Sequence, residues 1–358
     1  MAAQFIIKEF TTKAKTSYNN LMRTAIKKAA KKVIKKLLPK RVKLIRSIKQ
    51  EYQKSVDLSH KTYKEAEAES NTIYKNIFGR DIDWENPQTY NEKIQVSKLY
   101  NATALKTRLS DKLLVRDWVR EQIPDEKTLK LIPVLATYDD IDEIDFSKLP
   151  EKYVLKMNHD SGSVVIVDEN HKVTREKKLY YKHLYQKRSY ANVWFEMQYR
   201  DIKPKIMVEK YMGSSIRDYK FACFDGKVVS CRVDFDRFGD HTRNFYDKNW
   251  ELLPYNKGGY KHYPKTIKKP KNYDKMWKLA GILSKGFDQV RVDFYDIDGQ
   301  IYFGEMTFTN GCGLERFYPD KIDAKMGKLW KIDMDTIKKR RKAILKSNTR
   351  ICDDPHYQ

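Results

Sequence analysis

The spacing of apolar and polar residues changes several times along the chain, and each change marks a predicted element. Across residues 19–38, Leu21, Met22, Ala25, Ile26, Ala29, Val33, Ile34 and Leu37 form one stripe and six lysines fill the opposite face, which predicts an amphipathic helix. Pro39 ends it, and a second basic helix is expected from Arg41 to beyond Lys54. Residues 86–93, NPQTYNEK, predict a turn into a helix capped by Thr89 or Asn91. Ser110 predicts the cap of a further helix over residues 111–116, which would put Lys112 and Arg116 on one face. Residues 153–156 and 164–167 read as strands around a small polar loop, and residues 194–200 read as a helix. Residues 206–212 predict a buried strand, and 218–224 and 228–232 a hairpin turning at Asp225-Gly226. Arg237, Arg243 and Asn244 are expected in the loop beyond it. Residues 272–283 and 336–350 read as helices, the second strongly basic.

The stretch with most chemistry is residues 290–313, VRVDFYDIDGQIYFGEMTFTNGCG. Val290, Val292 and Phe294 alternate with Arg291, Asp293 and Tyr295, and Asp298-Gly299 is a hairpin signal. Two acids, Asp293 and Glu305, therefore stand on neighbouring strands. Register decides whether they meet. A two-residue turn would pair Asp293 with Gly304, whereas a three-residue turn would set Asp293 opposite Glu305, about 5 Å away at Cβ. Facing carboxylates repel unless a cation lies between them, and hard oxygen donors suit Mg²⁺ bound with substrate phosphates. Arg291, on the same face, favours a site that also takes an anion. A surface hairpin with solvated acids is the plain alternative.

Charge sharpens the picture at the ends. The 358-residue chain carries +24, and residues 1–60 hold sixteen Lys and Arg against three acids. Such a helix can lie on an anionic bilayer, pack on the body, or pack on a second chain. No nucleic-acid motif accompanies it, so nucleic acid is not expected as a partner. No run has the length of a membrane span or of a signal-peptide core. Cys223, Cys231, Cys312 and Cys352 have neither zinc nor redox spacing, so reduced thiols in a cytoplasmic protein are expected.

In order, the chain offers a lysine after SD, a lysine before a small-residue loop, Glu-Lys at a strand end, Asp-Tyr-Lys opening a hairpin, Arg-x-Asp, and a later Glu. The segments NPQTYNEK, SDKLLVRDWV, YVLKMNHDSGS, DYKFACFDGK and VRVDFYDIDGQIYFGEMTFTNGCG resemble the TupA-like branch of the ATP-grasp proteins, over about residues 76–332. That branch is associated with bacterial capsular polysaccharide and teichuronopeptide synthesis. The resemblance implies an α+β fold in which two subdomains close on ATP. The expected organisation is a basic helical arm over 1–75, a helical segment over 76–150, an ATP-grasp domain over 151–332 with subdomains about 151–215 and 216–332, and a basic tail over 333–358.

The resemblance also implies roles. Lys112 and Lys156 would bind the ATP phosphates, with Lys156 and Arg291 in the catalytic step. Asn158, Ser161, Gly162 and Ser163 would belong to a loop closing over them. Glu209 and Lys210 would sit at the hinge that meets the adenine, Asp218 would bind the ribose or stand near it, and Met212 and Lys220 would also belong to the nucleotide site. Asp293 and Glu305 would hold Mg²⁺. Thr307 occupies the position where many ATP-grasp proteins carry Asn as a third ligand, with Asn310 three residues later, so that ligand is in question. The implied chemistry is amide formation through an acyl phosphate, with an acidic, lipid-linked glycan and an amine as substrates at the cytoplasmic face of the membrane. Cys312 is not expected to be a nucleophile, and Gly311 and Gly313 are expected to let the backbone approach a substrate anion. The rivals are a kinase of the same fold using His159 or Asp160 as base, and a non-catalytic basic protein that binds membrane or glycan. Association with a second copy is left open.

Overall fold

The computed structural model describes residues 50, 60–160, 163–183, 194–213, 216–235 and 240–354. The chain divides into two units, Met1–Gln50 and Glu51–Gln358. Of the first unit only Gln50 is described, exposed and helical. The predicted basic helices over 19–38 and from 41 to beyond 54, together with Ser161, Gly162 and Arg237, lie outside the described residues.

The second unit begins with α1 (Tyr63–Phe78), α2 (Tyr90–Tyr100), α3 (Ala104–Ser110) and α4 (Val115–Gln122). Thr62 and Thr89 cap α1 and α2 through capping boxes with Glu65 and Glu92, three residues on in each case. The helix expected to start at Ser110 is displaced. Thr103 caps α3, Ser110 is its last residue, and residues 111–114 form a turn. Asp111 accepts the amides of Leu113 at 2.7 Å and Leu114 at 3.3 Å, so its carboxylate stabilises that turn and leaves Lys112 off any helix face.

Among the described residues twelve strands follow the helical start. They are β1 (Lys130–Leu131), β2 (Val134–Tyr138), β3 (Tyr153–Met157), β4 (Val165–Val167), β5 (Ile206–Lys210), β6 (Asp218–Phe224) and β7 (Lys227–Phe235). Then come β8 (Thr242–Tyr246), β9 (Asn256–Lys257), β10 (Val290–Ile297), β11 (Gln300–Thr307) and β12 (Phe317–Tyr318). Arg243 and Asn244, expected in a loop, lie on β8, which pairs antiparallel with β7. Their polar side chains hid a strand that is buried throughout. The expected helix over 194–200 is reduced to a 3-10 turn at Met197–Tyr199, because Phe195 takes a positive φ of 59° and Glu196 is not helical.

Two sheets result. One has four strands in the order β2-β5-β3-β4, and the other has six, β1-β11-β10-β6-β7-β8, while β9 and β12 form a separate pair. Helix α5 (Arg175–His183) packs beside the smaller sheet, and the larger sheet packs one face against α6 (Tyr273–Ser284). Phe221, Val292, Phe294, Met276, Leu279 and Leu283 are buried in that core. The chain closes with α7 (Lys321–Leu329) and α8 (Met334–Ser347). Helix α1, of which residues 63–75 were expected within the arm, joins this body: Tyr63 and Ala66 share a core with Leu99, Ile337 and Ile344. Two cations of the basic tail are engaged there, Arg341 with Glu67 and Glu85, and Arg340 with Asp354 at 3.5 Å.

Candidate active site

The hairpin β10–β11 settles the register in an unforeseen way. The turn does have two residues, since Ile297 pairs with Gln300, yet Asp293 still stands opposite Glu305. A bulge between Asp293 and Phe294 leaves Gly304 without a partner and shifts the register by one. A Cβ at Gly304 would lie 3.0 Å from the Asp293 carbonyl oxygen, so a bulge this tight suits glycine.

Arg291 lies between the two acids. Its Nε and Nη2 each donate to Asp293 at 2.7 Å, and Nη2 also donates to Glu305 at 2.5 Å. Its Nη1 donates to Asn310 Oδ1 at 2.8 Å, so Asn310 orients the arginine. Lys220 Nζ donates to Asp293 at 2.6 Å and pairs with Asp218. Burial lowers the basicity of Arg291, but Asp293 and then Glu305 more than reverse this and raise it. Burial pushes Asp293 up, with Arg291 and Lys220 opposing. For Glu305 burial likewise works against the charge, but Arg291, Lys220 and Lys112 win and hold its carboxyl at about 2.

A cleft of about 230 Å³ opens beside this cluster. Lys112, Arg291, Gly304, Glu305 and Thr307 line it together with Asp160. Lys112 Nζ donates to the carbonyls of Asp160 and, at 3.4 Å, Asn158. Burial lowers the basicity of Lys112, opposed first by Asp160. The loop from which these carbonyls come is held in several places. Asn158 donates to Asp111 at 2.9 Å and to the Lys203 carbonyl at 3.0 Å, and accepts the Lys205 amide at 2.7 Å. Its side chain is thus committed to bracing the loop. Ser163 accepts the Met157 amide at 2.9 Å and donates to Asp160 at 2.5 Å.

The other predicted residues sit elsewhere. Lys156 pairs with Glu209 at 2.6 Å on the smaller sheet. Lys210 is exposed at the end of β5, and Met212 follows it, half-buried. Asp218 and Lys220 belong to the buried charge cluster around Asp293 rather than to the cleft lining. His159 is fully buried and does not line the cleft.

The donors fit Mg²⁺ unequally. Glu305 is 37% exposed at its side chain and faces the cleft with Thr307, whereas Asp293 is 1% exposed and both its oxygens are taken. Among the described residues no three His, Cys, Asp or Glu side chains gather as a metal cage. Thr307 donates to Glu305 at 3.2 Å and contributes a second oxygen at the same edge.

Several residues of the cleft escaped the sequence reading. Trp194, Glu196, Thr309 and Cys312 also line it. An acid inside the aromatic run Trp194-Phe195-Glu196 was the one available signal. Burial pushes the Cys312 thiol up to about 12, in keeping with no nucleophilic role. The glycines beside it serve packing: a Cβ at Gly313 would lie 2.7 Å from Gln95 Nε2, and one at Gly311 2.6 Å from Glu315 Oε2. Gly311 also lines the cleft, whereas Gly313 does not.

Facing acids bridged by arginine, a lysine in the same cleft lining and two mixed α+β sheets are in keeping with an ATP-grasp fold. The TupA-like ATP-grasp family model matches residues 92–331, and the chain belongs to that family. Among solved structures, the chain is similar to D-alanine–D-alanine ligase from Bacillus anthracis, at 17% identity and a TM-score of 0.31, with 67% of this chain and 69% of that one covered. It is also similar to an L-amino acid ligase from Bacillus licheniformis, at 16% identity and a TM-score of 0.35, covering 55% and 42%. The family match carries the assignment, and these distant overlaps add no argument about activity. Comparison with curated proteins finds no match.

Proposed function

We propose that the protein is an ATP- and Mg²⁺-dependent carboxylate–amine ligase working through an acyl phosphate. Its substrates in this reading are a uronic acid carboxylate of a bacterial surface polysaccharide and an amino acid or other amine. The supporting observation is the hairpin in which Glu305 faces both Asp293 and the cleft, with Arg291 between the acids and Lys112 on the same lining. Phosphoryl transfer needs positioning and charge neutralisation more than covalent help, and these groups are of that kind. Lys112 and Arg291 would bind phosphate oxygens, the loop at Asp160 would exclude water, and Glu305, Thr307 and Asp293 would hold Mg²⁺. The bound ion would supply Lewis-acid neutralisation of the phosphates.

The test is ADP release with Mg·ATP, a pool of amines and oligogalacturonates, and mass spectrometry of the adduct. Asp293→Asn with Glu305→Gln is expected to reduce ADP release at least a thousandfold while the fold persists by circular dichroism. Normal turnover in that variant would remove the reading. A glycan kinase would instead yield a stable phosphorylated sugar with no amine present. Placement at the inner membrane face draws support from the amphipathic pattern and charge of residues 1–60. It predicts that removing residues 1–49 weakens binding to phosphatidylglycerol vesicles, and unaltered binding would count against it.

A further inference from the structure

Besides Glu305 and Asp160, another acid borders the cleft, away from the arginine-bridged pair. Glu196 is 6% exposed and lines the same cavity as Glu305, Arg291 and Lys112. The Thr309 hydroxyl donates to its Oε1, and Gln198 Nε2 donates to that hydroxyl oxygen at 2.7 Å. The relay fixes the direction of the hydroxyl proton and with it the orientation of the carboxyl group. The charged or titratable groups facing it are Lys98, on α2, and the Cys312 thiol. Lys98 Nζ stands 3.6 Å from Cys312 Sγ, and the Cys312 thiol is 3.6 Å from the Trp194 carbonyl. Trp194 is 38% exposed and lines the cleft two residues before Glu196. The nucleotide roles described above leave this acid and this indole unused.

We propose that Glu196 is the general base of the acceptor half of the site, taking a proton from the ammonium of a primary amine that lies against Trp194. The proposal rests on the ligase reading. Burial pushes the Glu196 carboxyl up to about 7, against the pull of Thr309 and Lys98, which suits a group that exchanges protons near neutrality. The ammonium gives one proton to the Glu196 carboxylate and becomes a free amine. Its nitrogen lone pair attacks the acyl carbon, a C–N bond forms, and the bond from that carbon to the phosphate oxygen breaks. The second nitrogen proton leaves with the departing phosphate as hydrogen phosphate, and protonated Glu196 returns its proton to water.

The experiment compares full-length wild type with Glu196→Gln, using Mg·ATP, trigalacturonic acid, and either L-alanine or hydroxylamine. Hydroxylamine is already a free base at neutral pH and so has no need of the carboxylate. At pH 7 the variant is expected to lose at least a hundredfold in amide formation with alanine. Its loss in hydroxamate formation should be at least thirtyfold smaller, and the alanine defect should shrink as pH rises toward 9.5. Equal losses with both nucleophiles at every pH, or equal rates in variant and wild type, would overturn the proposal. If the variant does not fold, Thr309→Val serves in its place, with a smaller alanine-selective loss expected and an unselective one overturning. Wild type that makes neither product with any carboxylate in the pool removes the ligase reading and, with it, this inference. Wild type that makes both products, with no selectivity in the variant, removes the inference alone.

Discussion

Two charge clusters share one face of the six-stranded sheet, and they are built on opposite surpluses. Across β10, β6 and β7, Asp293, Lys220 and Arg232 stand in register, and Asp234 on β7 pairs with Arg243 on β8. Around Asp293 three acids, with Asp218 and Glu305, meet two cations, Lys220 and Arg291. Around Asp234 three cations, Arg232, Arg243 and Lys257, meet two acids, Asp234 and Glu315. The first cluster reaches a cleft through Glu305. The second is closed over its ammonium, with Lys257 only 1% exposed and lying over the rings of Tyr90 and Phe317, and Glu315, 24% exposed, lies at its edge. Gly311 stands between them, lining the cleft and abutting Glu315. An acid surplus at an opening invites a cation from outside, whereas a basic surplus that is sealed must be tolerated by its own surroundings. The contrast separates a cluster that opens on a cleft from one that ties strands together.

The largest effect should come from the open cluster. Arg291→Met leaves the buried Asp293 with Lys220 alone and is expected to cost about 3–5 kcal/mol in urea unfolding. A loss below about 1 kcal/mol would mean that the acids do not depend on the arginine, and the contrast would lose one side. The next effect tests the sealed cluster by acid. Burial works against the charge of Glu315, but Lys257, Arg243 and Arg232 hold its carboxyl at about 2. A carboxylate depressed in the folded state contributes stability that is full above its unfolded value near 4.3 and is lost as pH falls through about 2. Glu315→Gln should therefore cost about 2–3 kcal/mol at pH 7 and much less at pH 2, read from melting curves at both. A cost independent of pH would place the contribution in packing.

Much of this was legible before any coordinates. The alternation around Asp293, the Asp298-Gly299 turn and the Thr89 cap follow from local chemistry, and the structure keeps them. The facing of Asp293 and Glu305 was legible only as a choice, because a bulge at Gly304 is a tertiary decision that no turn length encodes. Strand β8 was unreadable because Arg243 and Asn244 are polar for reasons of partnership: one meets Asp234 at 2.7 Å, the other Tyr246 at 2.9 Å. Glu196 was hidden differently. A backbone reversal at Phe195 breaks the helical period of WFEMQYR, and only folding brings Thr309, 113 residues away, to its carboxyl.

The smallest expected effect is the most discriminating. Among the described residues Lys257 Nζ finds no hydrogen-bond partner, and it stands 3.7 Å from Glu315, so its charge is held mainly by that one carboxylate and two rings. Burial lowers its basicity to about 8, against the pull of Glu315. A lysine depressed in this way binds fewer protons folded than unfolded between about pH 8 and 10, so stability should rise with pH across that window. Lys257→Met keeps the length and apolar stem, removes the desolvation cost, and forfeits a cation–π contact of about 0.5–2 kcal/mol and the attraction to Glu315. These terms oppose one another, so the variant should lie within about 1 kcal/mol of wild type at pH 7 and lose the rise between pH 8 and 10. Urea midpoints at pH 7 and pH 10 measure both. A loss of more than about 3 kcal/mol at pH 7 would show the sealed cluster leaning on its ammonium as heavily as the open one leans on Arg291, and the two would then differ in access to solvent but not in kind.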